Sequence, residues 1–327
     1  MSLPLFFRLL KLISLKTFSP HKFKNPISIA FCNEFVAICS IDCHSGLIVN
    51  KLLLPYISNN SNHFLENIDQ NDLSKFFDYL NSAKKNHCLC NMVFSVNDVL
   101  IKNIKIEQEP IALLYERVYQ ELSVSLLTNE IMFDYIITAS DKNYFFLKAA
   151  IVKRATLKKY YDFIEQIGMF IATITIDAYN MTRLLLLMKK ADDCYFFKSA
   201  NIIFLELCDH YITAIIIENS IYKTSIDKEI VGDYSNNIQL LIDNISSYLL
   251  INSEYTNFLN YTLVVAGKFS NDQHICNHIA FITKTAMFTF GKIYKHLYAE
   301  AVSIEELNLL YKAIALSNYF RTKIEHT

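Results

Sequence analysis

The stretch NPISIAFCNEFVAICSID, residues 25–42, sets two apolar runs, Ile27–Phe31 and Phe35–Ile41, on either side of a short polar break. Runs of this length around such a break predict a strand, a tight turn and a second strand. Where a turn of this kind closes around phosphate it is rich in Gly and Ser, because bare backbone N–H groups must reach the anion. Here the turn is Cys32-Asn33-Glu34, with no glycine and a carboxylate where an anion would sit.

The rest of the chain sets the context for that hairpin. With 327 residues, 52% of them hydrophobic and 19% charged, the chain is long enough for two or three subdomains with a substantial core, and it is not a disordered composition. A net charge of -1 supplies no general field for nucleic acid. Only five glycines occur, which counts against an enzyme that holds phosphate through a Gly loop. The eight cysteines fall mostly inside apolar runs, as expected of reduced core thiols in a cytoplasmic protein. The leader, residues 1–26, carries Arg8, Lys11, Lys16, Lys22 and Lys24 among Leu and Phe. It lacks a cleavage site and is too short to span a bilayer, so it reads as a helix packed on the fold, a frayed end, or a stripe that touches anionic lipid. No later segment offers a clean transmembrane span.

After the hairpin, a polar stretch (58–73) leads to a helix, Leu73–Lys84. Residues 88–106 then read as two strands around Asn97-Asp98. A helix near 110–126 starts at Pro110. Residues 133–152 give two strands joined at Ser140–Asn143, and a helix over 155–168 stops at Gly168. After the strand 170–176, Asp177 caps a helix with a basic C-terminal end. Strands at 202–208, 211–217 and 221–226, a helix near 235–251, the strand 262–267, a further helix and a last helix over 304–320 complete an α/β pattern. Similar strand-hairpin units begin near 27 and near 202.

The segments FDYIITAS (133–140), KYYDFIEQIG (159–168), ITIDAYNMTRLLL (174–186) and FSVNDVLIKNIKI (94–106), taken in order and spacing, resemble the PilM family of type IV pilus assembly. The resemblance runs from about Ile27 to Arg321. It implies a two-lobed, actin-like (ribonuclease H-like) fold with a ferredoxin-like insert in the first lobe. The implied division is a leader (1–26), the start of the first lobe (27–87), an inserted ββαββαβ subdomain (88–176) and a second lobe (177–327) whose last helix returns to the first. Two Gly-containing hairpins grip phosphate in that family. Laid on this chain, the first hairpin's Asp falls on Ala30, its second Gly on Cys32 and a Ser on Glu34; the second hairpin falls on Glu206-Leu207-Cys208, and a Gly pair becomes Ala266-Gly267.

The implied cleft is therefore vestigial, lined by Cys32, Asn33, Glu34, Glu206, Cys208, Asp209, Gly267 and Lys268. An ionised Glu34 about 5 Å from phosphate would cost about 3 kcal/mol per charge pair at an effective dielectric of 20. Neither a cofactor nor catalysis is expected, with bound Mg-ATP the alternative. The resemblance further implies a non-catalytic scaffold, cytoplasmic and peripheral at the inner membrane, that binds the cytoplasmic N-terminal tail of a PilN-like bitopic protein in a groove between the first lobe and the insert. Two other readings stand beside it: a working actin-like ATPase, and a platform of a type II secretion system similar to GspL.

Other constellations are weaker. Cys39, Cys43 and His44, with His87, Cys88 and Cys90, lack the paired spacing of a zinc site. His274 and His278 lack the Glu of a metalloprotease helix and read as surface histidines. Asp192-Asp193 read as a solvated loop. The 24 Phe and 20 Tyr interleave with aliphatics as a core does, not as a base-stacking platform.

Overall fold

In a computed structural model of the chain, the described residues are 27–55 except 33, 34, 43, 44 and 46, single positions within 69–78, 89–94, 99–166 except 129, 170–298 except 193 and 194, and 301–324. The leader, Asn33, Glu34, Gly168 and most of the helix expected at 73–84 lie outside them.

The opening hairpin forms as the sequence predicts: β1 (Ile27–Phe31) pairs antiparallel with β2 (Phe35–Ile41), and the Cys32 amide closes the turn on the Phe35 carbonyl at 3.0 Å. β3 (Ile48–Pro55) extends the sheet beyond β2, and β4 (Leu89–Phe94) lies parallel to β1 on the other side. The chain then leaves this sheet through β5 (Leu100–Glu107), α1 (Ile111–Leu126), β6 (Ile131–Ser140), β7 (Tyr144–Lys153) and α2 (Arg154–Gln166). It returns as β8 (Phe170–Ile176), parallel to β4, so the first sheet has the order β3-β2-β1-β4-β8.

This corrects the expected insert boundaries. β4 and β8 belong to the lobe sheet, and the insert is a three-stranded sheet, β5-β7-β6, with α1 on one face. The two strands read around Asn97-Asp98 are β4 and β5, and they sit in different sheets. Among the described residues the sheet of the insert has three strands. α1 packs through Leu114, Val118 and Leu122, spaced four apart on one stripe. That stripe meets Ile104, Ile106, Phe133, Leu147 and Ala149 in a separate small core.

The second lobe repeats the first. α3 (Asp177–Ala191) leads to β9 (Asn201–Leu207), β10 (Tyr211–Glu218) and β11 (Ile221–Glu229). α4 (Tyr234–Asn252), β12 (Tyr261–Ala266), α5 (Gln273–Thr283), β13 (Met287–Thr289), α6 (Phe290–Tyr298) and α7 (Ile304–Ile324) follow. The sheet order is β11-β10-β9-β12-β13, with the same antiparallel meander and the same parallel additions as in the first sheet. Every residue of β9 and β10 is buried, which explains their unbroken apolar runs: both faces are covered. α4 and α5 cover one face. α4 starts where Asp233 accepts a hydrogen bond from the Asn236 amide, and it packs through Ile238, Leu241, Ile242, Ile245 and Leu249.

The other face shares one continuous core with the first lobe, built from Ala37 and Cys39 of β2, Phe204 and Ile215 of the second sheet, and α3, α6 and α7. α7 lies between the lobes. Ser303 caps its N-terminus: the Ser303 hydroxyl accepts from the Glu306 amide at 3.2 Å and donates to the Glu306 carboxylate at 3.3 Å. Leu307, Leu310, Ala313, Ile314 and Leu316 are all buried, each such Leu or Ile contributing about 1.5–3 kcal/mol. Ser317 donates to the Ser28 hydroxyl at 2.7 Å and lies 3.4 Å from the Cys39 thiol, fixing the helix to β1 and β2. Lys51 of β3 and Glu306 form an ion pair at 2.5 Å.

Candidate functional site in the cleft between the lobes

The second hairpin turn copies the first. The Cys208 amide donates to the Tyr211 carbonyl at 3.1 Å, as the Cys32 amide does to Phe35, so Cys32 and Cys208 hold equivalent places in the two lobes. Both are buried, and both lie close enough to Tyr211 and Tyr311 to influence the ionisation of those hydroxyls. Cys32 and Cys208, one from each lobe, thus come together around Tyr211 and Tyr311.

At the cleft floor, Glu206 of β9 is 3% exposed and Lys312 of α7 is 2% exposed, and the ammonium meets the carboxylate at 2.7 Å. The Tyr211 hydroxyl donates to the same Glu206 oxygen at 2.6 Å, and the Cys208 thiol approaches it at 3.5 Å. Burial alone would push the Glu206 carboxyl up; the Lys312 charge, with hydrogen bonds from Lys312 and Tyr211, outweighs it and holds the group below the usual value. Burial first, then the Glu206 charge, drives the hydroxyls of Tyr211 and Tyr311 well above theirs. The Lys312 ammonium also stands 5.7 Å from the Tyr311 ring centre and 6.0 Å from that of Tyr211. The Tyr311 hydroxyl is enclosed and makes no hydrogen bond of ordinary geometry among the described residues.

The floor continues across the sheet. Thr213 sits opposite Glu206 on one side and Asp227 on the other, and its hydroxyl donates to Asp227 at 2.6 Å. Asp227 is exposed, and partial desolvation raises its carboxyl. One ammonium therefore serves a buried carboxylate and lies within the field of an accessible one.

The remaining expected residues form the rim. Lys268 and Asp209 pair directly across the mouth of the second hairpin. Gly267 has φ +92°, and a Cβ there would come 2.5 Å from the Leu207 carbonyl oxygen. Its amide donates to the Asn308 carbonyl at 2.9 Å. Close packing on β9 and α7 thus explains this glycine, and its N–H group is engaged inside the fold. Asn308 also accepts from the Gly291 amide at 2.6 Å and donates to Asn271 at 3.1 Å. Asn33 and Glu34 lie outside the described residues.

Sequence reading had named Glu206 and Cys208 but missed Lys312, Tyr211, Tyr311, Thr213 and Asp227. A signal for Lys312 existed: it is the one charge in LNLLYKAIAL (307–316), a run too apolar to leave an ammonium in water. Asp192 is a correction. It is buried, and its carboxylate caps the loop by accepting from the Phe196 and Phe197 amides, both at 2.7 Å. Among the described residues no group of three or more His, Cys, Asp or Glu is placed to hold a metal ion. Cys43, His44, His87 and Cys88 lie outside them. No helix among the described residues is long and apolar enough to cross a membrane.

Two sheets of one strand order, sharing helices around a cleft, define the actin-like ATPase fold, and this chain has it. Its solved relatives by structure include the "PilM-PilN type IV pilus biogenesis complex", with TM-score 0.67, 8% identity, and coverage of 92% of this chain and 99% of that one. A Bacteroides thetaiotaomicron protein with an actin-like ATPase fold and unknown function follows, with TM-score 0.50, 11% identity, and coverage of 90% and 99%. No protein-family model matches the sequence, and no curated protein matches it either.

Proposed function

We propose that this protein is a non-catalytic scaffold of a type IV pilus or related secretion assembly, positioned at the cytoplasmic face of the inner membrane. The observation that carries the reading is the Glu206–Lys312 ion pair: side chains of the protein itself fill the floor where an actin-like fold would hold phosphate and metal. The engaged Gly267 amide and the Lys268–Asp209 pair support the same conclusion at the rim. The likeness to PilM in complex with PilN supports a partner of the PilN kind. Such a partner offers the scaffold a short N-terminal tail. The tail lies extended between the first lobe and the insert, whose outer strands β5 and β6 each pair on one side only among the described residues.

Two measurements test this. Thermal unfolding with and without millimolar Mg-ATP should give superimposable curves, whereas a ligand at 100 times its dissociation constant would add about 2.7 kcal/mol. A saturable upward shift would replace the scaffold with an ATP-switched protein. Separately, calorimetric titration with a synthetic peptide of the cytoplasmic N-terminal tail of a PilN-like protein from the same source should show saturable binding, and its absence would remove the partner assignment.

A further inference from the structure

Away from the Glu206–Lys312 pair, the free face of the insert meets the outer strand of the second sheet. β11 is an outer strand and carries a bulge: Tyr222 lies opposite Ile217 and Thr224 opposite Ile216, so Lys223 is the extra residue. The bulge turns the Lys223 carbonyl toward the insert, where the Lys148 ammonium of β7 donates to it at 3.2 Å. The same ammonium stands 4.7 Å from the Tyr222 ring centre, and Tyr222 packs on Tyr179. Further along the insert face, Lys105 stands 3.9 Å from the Tyr144 ring centre and 5.6 Å from that of Phe146.

Lys148 is half-buried, and its nearest charged neighbour is another cation. Desolvation, then the Lys223 charge, lowers its pKa. An ammonium offers three N–H donors, and Lys148 uses one on a neutral carbonyl. Among the described residues neither Lys148 nor Lys223 has a carboxylate in ion-pair contact. The carboxylate facing Lys105, Asp141, is already turned to the Asn143 and Tyr144 amides. A half-buried ammonium with spare donors, within the field of a second cation and with no carboxylate in ion-pair contact among the described residues, favours an anionic ligand.

We infer that the groove between β7 and β11 binds an acidic peptide segment, one carboxylate of which bridges Lys148 and Lys223. Nucleic acid fits less well, because the ring faces of Tyr144 and Tyr222 already carry ammonium groups and are closed to base stacking. A lipid surface fits less well because Lys148 is recessed between two elements. An extended peptide reaches such a groove and finds the outer edge of β11 beside it.

The test is fluorescence anisotropy with a labelled twelve-residue peptide of alternating Glu and Ala, against its Gln–Ala counterpart. The acidic peptide should bind saturably and more weakly as salt rises. Lys148→Gln and Lys223→Gln should each weaken it roughly tenfold, the effect of one charge-assisted hydrogen bond. Lys223 is an exposed bulge residue, so its variant keeps the test decisive even if Lys148→Gln unfolds. Absence of binding by the wild type, equal binding of the Gln–Ala peptide, or unchanged affinity in Lys223→Gln would overturn the proposal. Lysine-dependent binding of a thymidine oligonucleotide or anionic vesicles tighter than the acidic peptide would overturn it too.

Discussion

Replacing Lys312 by Met removes one charge from the cleft floor while keeping most of the side chain's volume. Both partners are out of water, at 2% and 3% exposure, so neither solvent nor salt screens the pair. The variant leaves the Glu206 carboxylate with neutral neighbours, among them the Tyr211 hydroxyl at 2.6 Å, the Cys208 thiol at 3.5 Å and the Tyr311 hydroxyl. Breaking a buried pair from one side costs about 3–5 kcal/mol. The dependence on pH separates this from simple loss of packing. In the wild type the Glu206 value is depressed, so its contribution is fully present above the unfolded value of about 4.3 and is lost as pH falls through the folded value. In Lys312→Met, burial raises the folded value, so the variant binds a proton on folding. It then loses about 1.4 kcal/mol per pH unit as pH rises above about 4.3, until the raised value is passed. Urea unfolding followed by circular dichroism at pH 5 and pH 7 should therefore show a gap to wild type that is wider at pH 7. The double variant Glu206→Gln/Lys312→Met should recover to within about 1.5 kcal/mol of wild type. A gap under about 1 kcal/mol, or an equal gap at both pH values, would refute an ionised buried pair.

Three further outcomes are expected. Gly267→Ala should destabilise by about 1–3 kcal/mol or more in the same urea experiment, because the left-handed φ and the Leu207 carbonyl both oppose a Cβ. Asn308→Ala should cost about 1–3 kcal/mol by leaving the buried Gly291 amide without its acceptor, and hydrogen exchange at Gly291 should accelerate. Cys39, its thiol pushed up to about 12 by burial against the Ser317 hydrogen bond, should resist iodoacetamide in the folded protein and react in urea, as read by mass spectrometry; labelling in the native state would contradict its place in the interlobe core.

How much of this was legible in the chain depended on distance along it. The hairpin at 27–41 could be read because apolar runs and a closing turn are properties of neighbouring residues. The meander at 201–229 and the helix near 235–251 could be read for the same reason. The altered turn chemistry at Cys32 and Cys208 was equally local. Sheet membership was not. β4 (LCNMVF) and β5 (LIKNIKIE) both read as strands, and neither run names the strand it pairs with, β1 for one and β7 for the other. That choice is made by which strands can close a sheet around α7, a competition among long-range pairings. The same holds for the cleft. Glu206 was named from the sequence as part of a decayed phosphate site, but its counter-charge arrives on the last helix. A lone lysine in an apolar run declares that it needs a partner; only the packing of α7 against both sheets selects Glu206, since Coulomb attraction acts through space and not along the chain.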